Sequence, residues 1–168
     1  MNSYRSLLAV ALLVGAAACD TARIAAPAGP VLDEVAAAPA PGAEVVQAAT
    51  LDWLIANRGG TSFDAFCVSL GDDDADPGAA FLARYAGNQP PVVPLSDCTV
   101  AVAGTTYNLT GGPAQWFFVG DPVFHGRRAE VDAGFQVNGR LAEFYHCTLH
   151  PGPGGGYVVQ RCELTGAA

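Results

Sequence analysis

Hydrophobic and polar residues alternate with two periods along this chain, and the change of period separates a helical part from a sheet part. Between residues 44 and 58 apolar side chains recur at helical spacing, and Gly59 and Gly60 follow. This stripe consists of Val45, Val46, Ala49, Trp53 and Leu54. The spacing predicts an amphipathic helix that ends at the two glycines. Residues 62–70 alternate with a period of two, which predicts a strand.

A second helix is predicted directly after that strand. Asp76 is suited to cap it, Pro77 to occupy its first position and Gly87 to end it. Short strands are predicted at 99–102, 106–109 and 115–119, a hairpin at 128–137 and 141–149 around Asn138-Gly139, and a last strand at 157–164. The expected fold class is α+β, with two N-terminal helices packed on one face of a curved antiparallel sheet of about five to six strands.

The first 19 residues have the pattern of a secretory leader. An almost unbroken apolar run extends from residue 7 to residue 14, and small residues lead to Cys19. The run is shorter than the roughly 20 residues of a spanning helix, which is typical of a signal-peptide core. The end of the leader resembles the lipobox of bacterial lipoprotein precursors, which implies that Cys19 becomes the lipidated first residue. Ala16 departs from the commonest lipobox, and Ala16 with Ala18 also suits ordinary signal peptidase, so simple cleavage remains the alternative.

The remaining pattern divides the chain into three parts. Residues 1–18 are interpreted as the signal peptide, residues 19–43 as a disordered tether rich in Ala and Pro, and residues 44–168 as a single globular domain.

Acidic residues outnumber basic ones by 16 to 8. This balance argues against binding to nucleic acid, which requires a positive surface, and against peripheral binding to anionic lipid.

The five cysteines favour an oxidising compartment. If Cys19 carries a lipid, Cys67, Cys98, Cys147 and Cys162 remain to form two disulfides. Centring a hairpin on the loop at 151–156 places Cys147 nearly opposite Cys162, so we expect those two to pair and Cys67 to pair with Cys98. A metal site is the alternative interpretation, but the spacings match no common zinc pattern. No metal and no cofactor is therefore expected.

His146 is the most informative candidate for chemistry. Counting back from the Asn138-Gly139 turn places Val131 opposite His146, which puts His146 on a face with Ala133, Phe135 and Phe144. The other face would then carry Glu130, Asp132, Glu143 and Tyr145. With the last hairpin registered by the disulfide, Glu163 falls opposite His146 and Arg161 opposite Thr148. A His beside a Glu could act as a general base, while the alternative is a histidine that is simply satisfied by a carboxylate.

An aspartate-rich segment offers a second candidate. Residues 72–76 begin like an EF-hand loop, but Pro77 stands where that loop needs Gly and Ala83 where it needs a bidentate Glu. The alternative is a solvated turn that leads into the second helix.

The order of elements in residues 44–168 resembles the cystatin-like or NTF2-like fold, in which paired C-terminal strands close a sheet around N-terminal helices. The first hypothesis is an exported, lipid-anchored cell-envelope protein that acts as a non-enzymatic binding or scaffold domain for an unknown protein or small-molecule ligand. The resemblance implies the second, an NTF2-like small-molecule binder or enzyme that uses a sheet cavity near His146 and Glu163. The third is a soluble secreted inhibitor-type protein.

Overall fold

The computed structural model describes residues 42–138 and 141–168 of the chain. The predicted signal peptide, Cys19 and nearly all of the tether lie outside these residues. Among the described residues, no helix is long and apolar enough to span a membrane.

The predicted first helix is confirmed as α1, Ala43–Arg58. Its buried side consists of Ala43, Val46, Gln47, Ala48, Thr50, Leu51 and Leu54. The helix ends where expected, because Gly59 adopts extended backbone torsions and Gln115 binds the backbone that follows. The Gln115 side chain donates to Arg58 O at 3.0 Å and accepts from the Gly60 N–H at 3.2 Å.

The prediction of a second N-terminal helix that packs on the sheet beside the first is wrong. The helical segment there, α2, is a single turn of five residues, Ala79–Ala83. Asp76 does not cap it, since its Oδ1 accepts the Ser96 N–H at 2.9 Å instead. Gly78 occupies the N-cap position without a side-chain bond. After Ala83 the backbone changes to turns in which the N–H of one residue donates to the carbonyl three residues before it, as from Arg84 to Phe81 O at 3.1 Å.

The sheet is larger than predicted and is mixed rather than antiparallel. The strands are β1 Ala65–Leu70, β2 Val92–Pro94, β3 Cys98–Ala101, β4 Gly104–Tyr107, β5 Pro113–Val119, β6 Val123–His125, β7 Arg128–Asn138, β8 Leu141–Pro151 and β9 Tyr157–Ala167. The main order is β2-β1-β5-β7-β8-β9, with β3 paired to β4, β4 to β5 and β6 to β7. β1 pairs in parallel with both β2 and β5, which corrects the expectation of a purely antiparallel sheet.

The core lies on the face of the sheet that carries α1. Leu51 and Leu54 of the helix share one buried cluster with Phe117 of β5, Phe135 of β7 and Leu149 of β8. We call this side of the sheet the inner face. A smaller cluster on the other side contains Ala65, Cys67, Val93 and Ala114, with Cys98 and Trp116 packed against it.

Both predicted disulfides are confirmed. Cys147 and Cys162 stand directly opposite each other on β8 and β9, with their Cα atoms 4.0 Å apart. The Cys67–Cys98 bond joins the centre of β1 to the start of β3, with Cα atoms 6.3 Å apart. Disulfides of this kind persist in oxidising compartments and are typical of exported proteins.

The predicted register of the β7–β8 hairpin is wrong by one residue. Asn138 pairs with Leu141, so the turn lies one residue later than the predicted Asn138-Gly139, and a bulge between Gln136 and Asn138 leaves Val137 without a Cα partner. The two differences together place Asp132 and not Val131 opposite His146. Because side chains alternate between faces, a shift of one residue exchanges them. The turn residues Gly139 and Arg140 lie outside the described part of the chain.

The shift redistributes the residues that the sequence had placed together. Val131, Ala133 and Phe135 point into the core with Tyr145, whereas Glu130 and Asp132 share the opposite face with His146 and Phe144. We call that opposite side the open face. The β8–β9 register is as predicted, with Glu163 opposite His146 and Arg161 opposite Thr148.

Candidate functional site

A row of aromatic side chains crosses the open face. The Trp116 and Phe118 ring centroids on β5 are 5.6 Å apart, and the Phe118 centroid lies 5.5 Å from that of Phe144 on β8. β7 runs between these strands and places Gly134 beneath the row, where a Cβ atom would come within 2.4 Å of Phe118 Cζ. Glycine is therefore required here so that Phe118 can lie across the sheet. Phe144 is 44 % exposed, so its apolar side chain faces solvent near the start of β8, the strand next to the edge strand β9.

Charged side chains border the aromatic row on the same face. His146 Nδ1 lies 2.7 Å from Asp132 Oδ1, and its Nε2 lies 4.0 Å from Glu130 Oε2. Glu130 also contacts His125 Nε2 at 3.2 Å and the Arg128 guanidinium at 3.0 Å. The neighbouring strands β6, β7 and β8 thus bring two imidazoles and two carboxylates together through cross-strand pairing.

Glu163 is close to His146 in register but has a different partner. Its carboxylate contacts the Arg161 guanidinium at 3.1 Å, whereas His146 contacts Asp132 and Glu130. The pairing of His146 with a carboxylate was anticipated, but the carboxylate belongs to β7 and not to β9. Asp132 was missed because no residue pattern in β7 indicates the bulge that turns it to this side.

The aromatic row and the His146–Asp132 pair enclose a shallow groove of about 390 Å³. It is lined by Phe118, Asp132, Ala133, Phe144, Tyr145, His146 and Thr165. Glu163 does not line it. The inner side of the sheet is filled by the core cluster, so the concavity is an open surface feature and not a cavity enclosed by the sheet.

A second concavity of about 540 Å³ lies beside α1, at the turn that follows α2. Asp52, Arg84, Tyr85 and Asn88 contribute its polar side chains. The Tyr85 hydroxyl donates to Ala48 O at 3.2 Å, and burial, followed by the nearby Asp52 carboxylate, raises the pKa of Tyr85. This hydroxyl therefore joins the α2 region to α1, and we assign it a structural role.

A third polar cluster holds the end of α1 against the sheet. The Arg58 guanidinium donates to the Tyr145 hydroxyl, which in turn donates to Glu143. Arg58 also pairs with Glu143 at 3.1 Å, and the Trp53 ring packs edge-on against Tyr145 with centroids 5.4 Å apart. Burial raises the pKa of the Tyr145 phenol, and its bond to Glu143 adds to the increase. The phenol is thus held protonated as a donor in a structural network.

The aspartate-rich segment forms a turn whose side chains bind the protein itself. Asp74 accepts the Ser69 hydroxyl at 2.9 Å, and Asp72 accepts the Asp121 N–H at 3.2 Å. The side chains that an EF-hand would present to a cation are therefore engaged in shaping the loop. Among the described residues, no group of three His, Cys, Asp or Glu side chains stands in an arrangement that would hold a metal ion.

These features define a disulfide-bonded domain in which one helix covers one face of a mixed sheet and a row of aromatic residues, with Phe144 exposed, lies on the other. No protein-family model matches the chain, and neither a curated protein nor a solved structure is significantly similar to it. Its function must therefore be argued from its own residues.

Proposed function

We propose that this protein is an exported cell-envelope protein, anchored by a lipid on Cys19, whose folded domain is a non-enzymatic binding module. The leader, the small residues before Cys19 and the Ala/Pro-rich tether support the anchor. The two disulfides support export, since they use all four remaining cysteines. An anchored domain on such a tether would stand away from the membrane, where the open face is accessible to a ligand or partner.

The observation that carries the binding role is the aromatic row on the open face, which ends in the exposed Phe144. Phe144 is 44 % exposed, and covering its ring would contribute hydrophobic free energy that the free protein lacks. Aromatic residues are enriched at binding surfaces for this reason. The groove beside Phe144 supplies polar groups that would orient whatever binds there.

The anchor is tested by mass spectrometry on protein purified from the membranes of its own host. The expected unreduced, denatured mass is that of residues 19–168 plus a diacylglyceryl or triacyl group, less the four hydrogens lost in forming two disulfides. A Cys19→Ser variant should move from the membrane fraction to the soluble fraction. A mass without lipid would refute the anchor and leave the soluble secreted alternative.

The binding role is tested by crosslinking in the intact cell. A photoreactive phenylalanine analogue at Phe144 should crosslink to one defined species, whereas the same analogue at Val102 should not. Val102 is the matched control because it is 87 % exposed and lies between β3 and β4. Equal labelling at both positions would indicate random encounter and would contradict the assignment of the open face.

The His146–Asp132 contact supports a second candidate, a small-molecule binder or enzyme that acts in the groove. An imidazole oriented by a carboxylate is suited to accept a proton. Native mass spectrometry separates the two candidates. Extra mass that disappears on denaturation would favour a small-molecule ligand, whereas its absence together with a protein crosslinked at Phe144 would favour a macromolecular partner.

A further inference from the structure

We propose that the groove between Phe118 and Phe144 binds a small organic ammonium ion, with its apolar body against the two rings and its charge beside Asp132. This inference rests on the second candidate of the proposed function, the small-molecule binder, because it takes the open face as the binding surface and specifies what chemistry that surface selects.

The aromatic wall suits both parts of such a ligand. The Phe118 and Phe144 ring centroids are 5.5 Å apart at an interplanar angle of 47°, and both residues line the same groove. Gly134 has no side chain that could extend over the sheet beside these rings, and any Cβ there would also clash with Glu143 O. An apolar body is stabilised by covering these rings, and a cation within about 6 Å of a ring centroid is attracted by the ring quadrupole.

The charges around the groove are unbalanced in favour of a cation. On the open face, Arg128 pairs with Glu130 and Arg161 with Glu163. Asp132 is different, since in the described part of the chain its ion-pair contact is the His146 imidazole and no arginine lies within salt-bridge distance of it. Its side chain is 84 % exposed, so a ligand can reach it.

Outside the groove lining, the Asp72 carboxylate lies near the Asp132 backbone and adds negative charge to this region. The Gly120 N–H donates to Asp132 O at 2.8 Å, and the next N–H, of Asp121, donates to the Asp72 carboxylate at 3.2 Å. The formal net charge of the whole chain is −8. An anion entering the groove would meet repulsion from its margin and from the protein as a whole, whereas a cation would be attracted by both.

The size of the groove favours a small ligand. Its volume of about 390 Å³ lies near the lower end of the roughly 300–1,000 Å³ range of small-molecule sites. Thr165 adds a polar group at the margin, because its hydroxyl donates to Phe144 O at 3.1 Å and its oxygen keeps acceptor capacity for an ammonium N–H.

Two probes with the same indole body separate charge from apolar contact. Tryptamine carries an ammonium group, and tryptophol carries a neutral hydroxyl in its place. Each is titrated into the ¹⁵N-labelled mature chain at low ionic strength, with both disulfides formed and, if the anchor is present, in a non-ionic detergent. We expect tryptamine to shift the amide signals of Ala133, Phe144 and Thr165, and to bind up to about five-fold more tightly than tryptophol, the upper range for an exposed ion pair.

Two variants and a matched control assign the interaction. Asp132→Asn should reduce tryptamine binding to the level of tryptophol, because it removes the charge and keeps an oxygen that can accept from His146. Phe144→Ala should weaken both probes. Glu163→Gln removes an acid from the same face that is already paired with Arg161, and it should leave tryptamine binding within about two-fold of the unaltered protein.

The proposal would be overturned if the protein bound the two probes with equal affinity. It would also be overturned if Asp132→Asn and Glu163→Gln lowered the affinity for tryptamine by the same factor. A lysine-containing peptide that binds more than ten-fold more tightly than tryptamine would also overturn it, since the site would then select a polypeptide. The proposed function fails separately. A crosslinked partner at Phe144 without amine binding would refute only the ligand chemistry, whereas amine binding without any labelling at Phe144 in the cell would refute only the macromolecular partner.

Discussion

The buried Gln115 side chain offers a sharp test of how the helix is attached to the sheet. Gln115 is 1 % exposed and lies on β5 where α1 ends. It makes two hydrogen bonds, one to Arg58 O at 3.0 Å and one from the Gly60 N–H at 3.2 Å. Both partners belong to the backbone that leaves the helix, where four carbonyls have no partner within the helix itself.

We expect Gln115→Met to lower the free energy of unfolding by about 2–3 kcal/mol. Methionine keeps the volume and length of the side chain but removes both hydrogen bonds, each of which contributes about 1 kcal/mol net. Desolvation of the groups left unpaired adds to this. The addition is small here because Arg58 and Gly59 are exposed and water reaches the end of the helix.

Gln47 is the matched control on the same helix. It is 3 % exposed and makes one bond, donating to Gly120 O at 3.2 Å. Gln47→Met should therefore cost about 1 kcal/mol, roughly half as much. Urea unfolding at pH 7, followed by tryptophan fluorescence with both disulfides intact, measures the two values. If Gln115→Met costs no more than Gln47→Met, the two bonds do not hold the end of the helix and the reasoning is wrong.

Three further predictions concern the sheet and its attachments. Gly134→Ala should destabilise the fold by about 2–3 kcal/mol in urea unfolding, because its Cβ would lie 2.3 Å from a backbone oxygen; a neutral result would contradict the close approach. Replacing Cys67 and Cys98 with Ala should cost about 3.7 kcal/mol and replacing the other pair about 3.0 kcal/mol, as the loops of 31 and 15 residues require; the reverse order would show that strain or residual structure dominates. The raised pKa of Tyr85 means that the native state holds the phenolic proton more strongly than the unfolded chain, so stability should decline as the pH rises above about 10. Tyr85→Phe should lessen that decline in unfolding measured from pH 7 to 11, and an unchanged slope would exclude Tyr85 as its source.

Features that depend on neighbouring residues were predictable from the sequence. The helical stripe from Val46 to Leu54 was sufficient for α1, because an apolar face of this kind is buried against whatever sheet is present. The Asn138-Gly139 signal predicted a hairpin between β7 and β8, which is present although its turn lies one residue later. Centring the next hairpin on the loop at 151–156 placed Cys147 against Cys162, and that disulfide register placed His146 against Glu163. Strands that follow each other along the chain pair in a register that the loop and the disulfide restrict.

The candidate site was only partly predictable. His146 stood out because it is an ionisable residue in an apolar strand, and its pairing with a carboxylate was expected. Phe118 was not connected with Phe144, because β5 and β8 meet only through β7 and no local pattern reports that contact. Asp132 was assigned to the wrong face, since the bulge beside Val137 moved every residue before it by one position.

The sequence by itself determined the helix, the disulfides and the strongly acidic character of this protein, because each follows from residue type and short-range spacing. Only the tertiary structure decided that β1 would pair in parallel with two strands, that α2 would stop after one turn, and that Asp132 and not Val131 would stand beside His146. Those outcomes depend on contacts between distant segments and on one extra residue in β7. Side chains in a strand alternate with a period of two, so a single bulge was enough to exchange the core with the open face.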